Sequence, residues 1–241
     1  MPEAGQAVPP VRSCIVRDLG RMSYSDAFVI QTQIANERKA GRGTDHLLLV
    51  EHPHVVTIGR NGHEENLLAP EETLRRAGIE LHPTDRGGDV TYHGPGQIVG
   101  YPIIDLRDWK RDVGAYVRAI EQVLIDTLDE FGICAGRVPK LTGVWVGDSE
   151  ENQAKIAAIG VHLSRWVSTH GWALNVSTDL RYFQYIVPCG LTKPVTSMAQ
   201  LGARTDIGEV KEALARHFGR VFDFEMQASE AASVRTGEFA G

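Results

Sequence analysis

The chain has 241 residues, 42% of them hydrophobic and 23% charged, and carries a formal net charge of -6. This is the composition of a globular protein with enough apolar surface for a large core, and it excludes a chain disordered throughout. The negative balance, with no block of Lys and Arg, argues against general nucleic-acid binding.

In chain order, residues 24–38 carry Phe28, Gln31, Ile34, Ala35 and Arg38 at helical spacing, which predicts an amphipathic helix facing the core with Ala27, Phe28 and Ile34. Residues 46–51 and 55–58 are short apolar runs bounded by turn residues and read as buried strands. Residues 70–78 open with Pro70 and two acids and close on Gly78, the punctuation of a short helix. Strands are expected at 87–92 and 98–106. The clearest helix is 112–131, where Val113, Tyr116, Val117, Ile120, Val123, Leu124, Leu128 and Phe131 recur at steps of three, four and seven. Residues 143–146 and 155–163 flank a polar stretch and predict a hairpin, and 172–176 continues the sheet. Asp206 with Glu209 resembles a capping box for a helix through Phe218 that buries Val210, Leu214 and Phe218. Strands next to strands with few intervening helices favour a mixed α+β single domain over strict βαβ alternation.

Three segments bear chemistry. The first is Arg86-Gly87-Gly88-Asp89-Val90-Thr91-Tyr92-His93-Gly94-Pro95-Gly96-Gln97. It is either a hairpin with bulge glycines or a place where backbone amides approach a ligand closely. Val99 breaks the G-x-G-x-x-G pattern and no Walker motif occurs, so a phosphate cradle is weakly supported. The second is the alternating strand from Lys155 to His162, which places Lys155 on one face with Ala157, Ile159 and Val161. A lysine there either snorkels to water or serves a site, and small residues at 157, 158 and 160 leave room for a ligand chain. The third is Val187-Pro188-Cys189-Gly190, a cysteine in a constrained turn. Cys189 is an inert residue unless an electropositive neighbour makes it a thiolate. Cys14, Cys134 and Cys189 are far apart without a C-x-x-C pair, so neither a disulfide framework nor a thiolate zinc site is expected, and a reducing cytoplasm fits best. No apolar segment suits a signal peptide or membrane span, and no H-E-x-x-H or G-x-S-x-G is present, so no membrane association and no metal are expected.

Jointly, the Arg86–Gln97 block, the Lys155–Val161 strand and the Val187–Gly190 turn resemble the lipoyl(octanoyl) transferases, over roughly residues 46–201. The resemblance implies a catalytic domain of the biotin and lipoate protein ligase type, a central mixed sheet flanked by helices. It would occupy residues 13–226, between a flexible N-terminus (1–12) and a flexible tail (227–241). It also implies a cofactor-free transfer of octanoyl from octanoyl-acyl carrier protein to a lysine of lipoyl domains, those of 2-oxoacid dehydrogenase subunits and the glycine cleavage H protein. Cys189 would form the acyl thioester, and Lys155 would lower its pKa. Substrate contacts map to Arg86, Gly87, Gly88, Asp89, Val90, Thr91, Tyr92 and His93, to Ala158, Ile159 and Gly160, and to Gly171, Trp172 and Ala173. Trp172 departs from the smaller residue expected there, which bears on acyl-chain length. Lys155 or His93 would serve as base when the acceptor lysine attacks. Because such partners are acidic, Arg42, Arg60, Arg86 and Lys193 are expected to form a basic face. The competing readings are an ATP-dependent lipoate or biotin ligase, a non-catalytic acyl- or lipoyl-domain-binding module, and a cysteine hydrolase.

Overall fold

A computed structural model describes residues 12–187 and 193–229. Its frame is an eight-stranded mixed sheet in the order β11-β1-β2-β6-β10-β9-β8-β7. The strands are β1 (Ser13–Arg21), β2 (Asp45–Glu51), β6 (Gln97–Ile103), β7 (Ala135–Val138), β8 (Leu141–Val146), β9 (Ala154–Ser164), β10 (Val167–Asn175) and β11 (Glu225–Ala228). The pairs β11–β1 and β1–β2 are parallel, and every other neighbouring pair is antiparallel. A second sheet of three strands, in the order β4-β3-β5, is formed by β3 (Val55–Ile58), β4 (Glu80–Pro83) and β5 (Val90–His93).

Helices cover both faces of the large sheet. On one face lie α3 (Val113–Glu130) and α4 (Ile207–Phe222), over the main core of Leu47, Leu49, Ile98, Ile156, Ala157, Trp172 and Leu174. On the other lies α1 (Tyr24–Lys39), against Leu48, Val50, Val99, Tyr101 and Ala173. Period-2 alternation sorts each strand between these two cores, so β6 sends Ile98 one way and Val99 and Tyr101 the other. A third core under the small sheet joins Val56, Val90, Tyr92 and Phe183 with Leu74 of α2 (Glu71–Arg76).

Several expectations are corrected. In α1 the buried positions are Tyr24, Ala27, Gln31, Ile34 and Ala35, whereas Phe28 is 36% exposed. Gln31 lies inside because its Oε1 accepts from the His170 N–H at 2.9 Å, satisfying a backbone donor that a regular ladder would have used. In α3, Val113 and Val117 fall off the core face. At the C-terminal end, β11 runs through Ala228 in parallel register with β1, and Ser229 donates to the Val16 carbonyl, so the folded domain passes the expected boundary at 226. Asp206 caps α4 by accepting from the Glu209 N–H at 2.8 Å, while the Glu209 carboxylate turns to Arg204 and leaves the capping box half made.

Candidate active site

Lys155 stands near the start of β9, where the register against β8 slips. Val144 faces Ala157 and Trp145 faces Lys155, so β9 carries one extra residue, Ile156. Such a bulge interrupts alternation and re-aims a side chain. Lys155 is therefore not grouped with Ala157 as simple alternation requires. Ile156 and Ala157 both enter the main core, while Lys155 lines a narrow cavity with Thr91, Gln97, Ala158, Ala173 and Asn175.

The residues around Lys155 shape its side chain. Gly143 has φ +122°, and a Cβ there would strike the Ala157 carbonyl at 2.7 Å, so the glycine lets β8 lie close to β9, with the Lys155 stem alongside at van der Waals distance (3.5 Å to Cε). The Gly143 N–H is held by Glu121 Oε1 at 3.2 Å, and the other Glu121 oxygen accepts from Arg137 at 2.9 Å. The ammonium sits 4.7 Å from the centre of the Trp145 ring, whose Nε1 donates to the Leu141 carbonyl. Lys155 is 7% exposed. A cation over an indole face is attracted by the ring quadrupole, more strongly once water is excluded.

Next to Lys155 the antiparallel pairs Ala158–Ala173 and Gly160–Gly171 lay a floor of small residues between β9 and β10. Facing it are Arg86, Gly88, Thr91 and His93 of the Gly-rich block, with Tyr24, Tyr101 and His170 closing the sides. Two glycine contacts allow the block to lie this close. A Cβ on Gly160 would meet the Gly87 carbonyl at 2.7 Å, and one on Gly59 would meet the Gly88 carbonyl at 2.3 Å. The Gly87 N–H donates to the Val161 carbonyl, sewing the block to the free edge of β9. The enclosed space is about 40 Å³.

Of the positions expected to touch substrate, Arg86, Gly88, Thr91, His93, Ala158, Ile159, Gly160, Gly171, Trp172 and Ala173 converge on this cavity, and Gly87 borders an adjoining outer groove. Val90 and Tyr92 do not join them, because strand alternation turns them into the third core. Asp89 points away as well, accepting from the His63 N–H and from Asn66. The Trp172 indole packs in the main core against Phe218, over Gly100, where any Cβ would collide with the ring. Arg86 is no surface cation. It is buried and donates to the Thr57 carbonyl and hydroxyl and to the Asp89 carbonyl, bracing the Gly-rich block. Lys193 is tied to the Glu150 carbonyl and Gln153, while Arg42 and Arg60 are exposed.

Cys189 lies outside the described residues. On one side of it the Val187 N–H donates to the Asn66 carbonyl, and on the other Pro194 accepts from the Lys155 N–H at 2.9 Å while Thr196 donates to the Lys155 carbonyl. The chain leaving the cysteine segment thus pairs with the backbone of Lys155 itself.

A buried relay fixes His93. Asn175 Nδ2 donates to the Thr196 carbonyl, Gln97 Nε2 donates to Asn175 Oδ1, and Gln97 Oε1 lies 2.7 Å from His93 Nδ1. With the Gln97 amide already donating, its oxygen must accept, so Nδ1 carries the proton and Nε2 is left as an acceptor. Burial, reinforced by His52, lowers the His93 pKa to about 3. Motif reading missed Tyr24, Gly143, Trp145 and His170, which come from distant elements. Tyr24 of α1 and His170 of β10 line the cavity, while Gly143 and Trp145 meet Lys155 from β8. No cluster of three His, Cys, Asp or Glu fit to hold a metal occurs among the described residues. None of their helices is long and apolar enough to cross a membrane.

Residues 23–219 match the family model described as the lipoyl protein ligase A/B catalytic domain. An octanoyltransferase of Solibacter usitatus is 70% identical over 216 residues, covering 90% of this chain and 96% of that one. One from Koribacter versatilis is 52% identical, with 86% and 83% covered. Among solved structures, the Thermoplasma acidophilum protein Ta0514 with bound lipoic acid superposes with a TM-score of 0.68 at 17% identity, covering 91% of this chain and 89% of that one. Lipoate-protein ligase A bound with ATP gives 0.65 at 18%, with 92% and 90% covered. The two structures share the fold, the relatives share the sequence almost end to end, and the chain belongs to the lipoyl protein ligase A/B catalytic domain family.

Proposed function

We propose that the chain is an octanoyltransferase that moves octanoyl from octanoyl-acyl carrier protein to the lysine of a lipoyl domain, through a thioester on Cys189. The observation that carries this reading is the placement of Lys155. It is a buried lysine at the junction of a small-residue cavity and an open groove, and its backbone is paired to the chain that leaves the Cys189 segment.

The chemistry follows from charge. A free thiol near 8.5 is only about 3% thiolate at pH 7, and an adjacent ammonium raises that fraction. The Cys189 thiolate attacks the donor carbonyl, a new C–S bond forms, and the carrier thiolate leaves with a proton from the Lys155 ammonium. Lys155 is then neutral and takes a proton from the incoming lysine ammonium. The freed amine attacks the Cys189 thioester, the C–S bond breaks, and amide and thiolate form as one proton passes to solvent. The pair ends as it began, thiolate and ammonium, with no ATP consumed.

The alternative base is disfavoured by magnitude. Moving a proton from an ammonium near 10.4 to an imidazole near 3 is uphill by about 10 kcal/mol. His93 is read instead as a neutral hydrogen-bond acceptor with its tautomer set by Gln97. The cavity floor accounts for acyl binding, at roughly 0.8 kcal/mol per buried methylene.

Intact-mass measurement after mixing with octanoyl-acyl carrier protein tests the reading. An octanoyl adduct is expected on the wild type and none on Cys189→Ala. Lipoyl-domain modification that requires free octanoate and ATP would establish the ligase reading in its place.

A further inference from the structure

The small-residue floor of the cavity has two ends. At one, Ala158 and Ala173 lie beside Lys155. Toward the other, the floor continues through the Gly160–Gly171 pair, and alternation puts His162 next on the same face. His170 closes the cavity there as well. Both imidazoles reach one carboxylate, His170 Nε2 lying 2.7 Å from Asp85 Oδ1 and His162 Nε2 lying 3.4 Å from Asp85 Oδ2. Asp85 directly precedes Arg86, so the residue that gathers the two rings also anchors the Gly-rich block facing the floor.

His170 stands on this face against the rule of its strand. Along β10, Val167 and Ala173 face α1 while Trp172 faces the main core, so alternation would send His170 the way of Trp172. Its φ of +57° lies instead in the left-handed region, uncommon for any residue but glycine. The ring is thereby turned onto Phe28 of α1, with 5.6 Å between centroids. Two contacts hold it there. The Gln31 side chain accepts from the His170 N–H, and Asp85 accepts from the ring, the outside restraint that a costly backbone conformation requires. Trp172, expected to bear on acyl-chain length, turns its indole into the main core and leaves that task to whatever closes the floor.

We propose that His170, fixed by Asp85 and flanked by His162, is the stop against which the length of the transferred acyl chain is measured. The acyl carbonyl lies at the Lys155 end, and the methyl end runs over Ala158, Ala173, Gly160 and Gly171 toward the two rings. A longer chain must push a buried imidazole off its carboxylate, and a hydrogen bond to a charged group is among the stronger ones a protein makes. An added methylene tightens binding about fourfold where it finds apolar cover, but here it meets a polar wall. Behind that wall lies Phe28, 36% exposed, which would cover a longer tail if the ring were gone. This inference rests on the acyl-transfer reading and adds to it what sets the length of the substrate.

The test follows acylation by intact mass, with acyl carrier protein charged with octanoyl, decanoyl or dodecanoyl as the donor. His170→Gly removes the ring and suits a φ of +57°, while Asp85→Ala leaves both rings in place without their anchor. In His170→Gly the dodecanoyl rate relative to the octanoyl rate should rise about tenfold or more, as about two newly covered methylenes at fourfold each would give. Asp85→Ala should move the ratio the same way by a smaller factor. Asp85→Asn keeps an acceptor for one ring and should stay nearer the wild type. An unchanged ratio in His170→Gly, or rates that fall equally with all three donors, would make these residues supports of the fold and overturn the assignment. If His170→Gly fails to fold, the two Asp85 variants decide by the same ratio. A wild type acylated by none of the donors would overturn the acyl-transfer reading and this inference with it.

Discussion

At the scale of single residues, the site is built by what is missing as much as by what is present. Gly160 lacks the Cβ that would strike the Gly87 carbonyl, so the Gly-rich block can lie over the floor. Gly160→Ala is expected to slow acylation about tenfold or more, since 1.4 kcal/mol of misplacement suffices for that. Intact-mass kinetics read it, and an unchanged rate would show that the block need not sit so close. Trp145 makes a different prediction. A cation–π contact contributes about 0.5–2 kcal/mol, so Trp145→Leu should loosen the Lys155 ammonium and lower the neutral-pH alkylation of Cys189 several-fold. Reactivity should recover as pH rises, because the thiol then ionises without help. Trp145→Phe keeps an aromatic face and should fall between the two. A pH profile identical to the wild type in the leucine variant would mean that the indole only fills space.

At the scale of elements, the α4 cap gives a clean measurement. Asp206→Ala removes an acceptor for the Glu209 N–H, a loss of about 1 kcal/mol, and should lower the thermal midpoint by about 2–4 °C with transfer unaffected. A midpoint unchanged within error would mean that solvent satisfies that donor equally well. Elements with strong periodicity were legible in the sequence. The cores of α3 and α4 are spaced as helices must be, and the β8–β9 hairpin was bounded by its polar turn. The missed elements lack such a signal. Only Cys14 is fully buried in β1, and β11 has no buried residue, so neither shows a clear apolar face to a reader of the sequence. Their parallel register is a long-range fact. The face of Lys155 was misread for a related reason, since a bulge is set by the pairing of two strands and by a glycine opposite, not by the bulged strand alone. The cavity lining was legible wherever alternation held. At Asp89, Val90 and Tyr92, a block read as one unit splits between two faces.

At the scale of the whole molecule, the site lies where two sheets meet, and His93 in its wall packs against His52 behind it, both kept neutral by burial. His52 is fully buried between the Met22 carbonyl and the Tyr101 hydroxyl, and burial lowers its pKa to about 4. His93 is lowered to about 3, again chiefly by burial. In the unfolded chain both return to about 6.5. Above that value neither state binds a proton at these positions, and stability does not depend on them. Below it the unfolded chain gains protons that the native state refuses, so stability falls as pH drops, by about 1.4 kcal/mol per pH unit for each histidine until the native values are reached. Denaturant unfolding between pH 7 and pH 4.5 should therefore show a steep loss with the onset near 6.5, well above the range where carboxylates titrate. His52→Gln should lose part of that slope whatever it does to the stability at pH 7, because the slope counts protons and the intercept counts contacts. An equal slope in variant and wild type would mean that His52 takes up its proton within the fold, and that the junction of the two sheets is wetter than its packing implies.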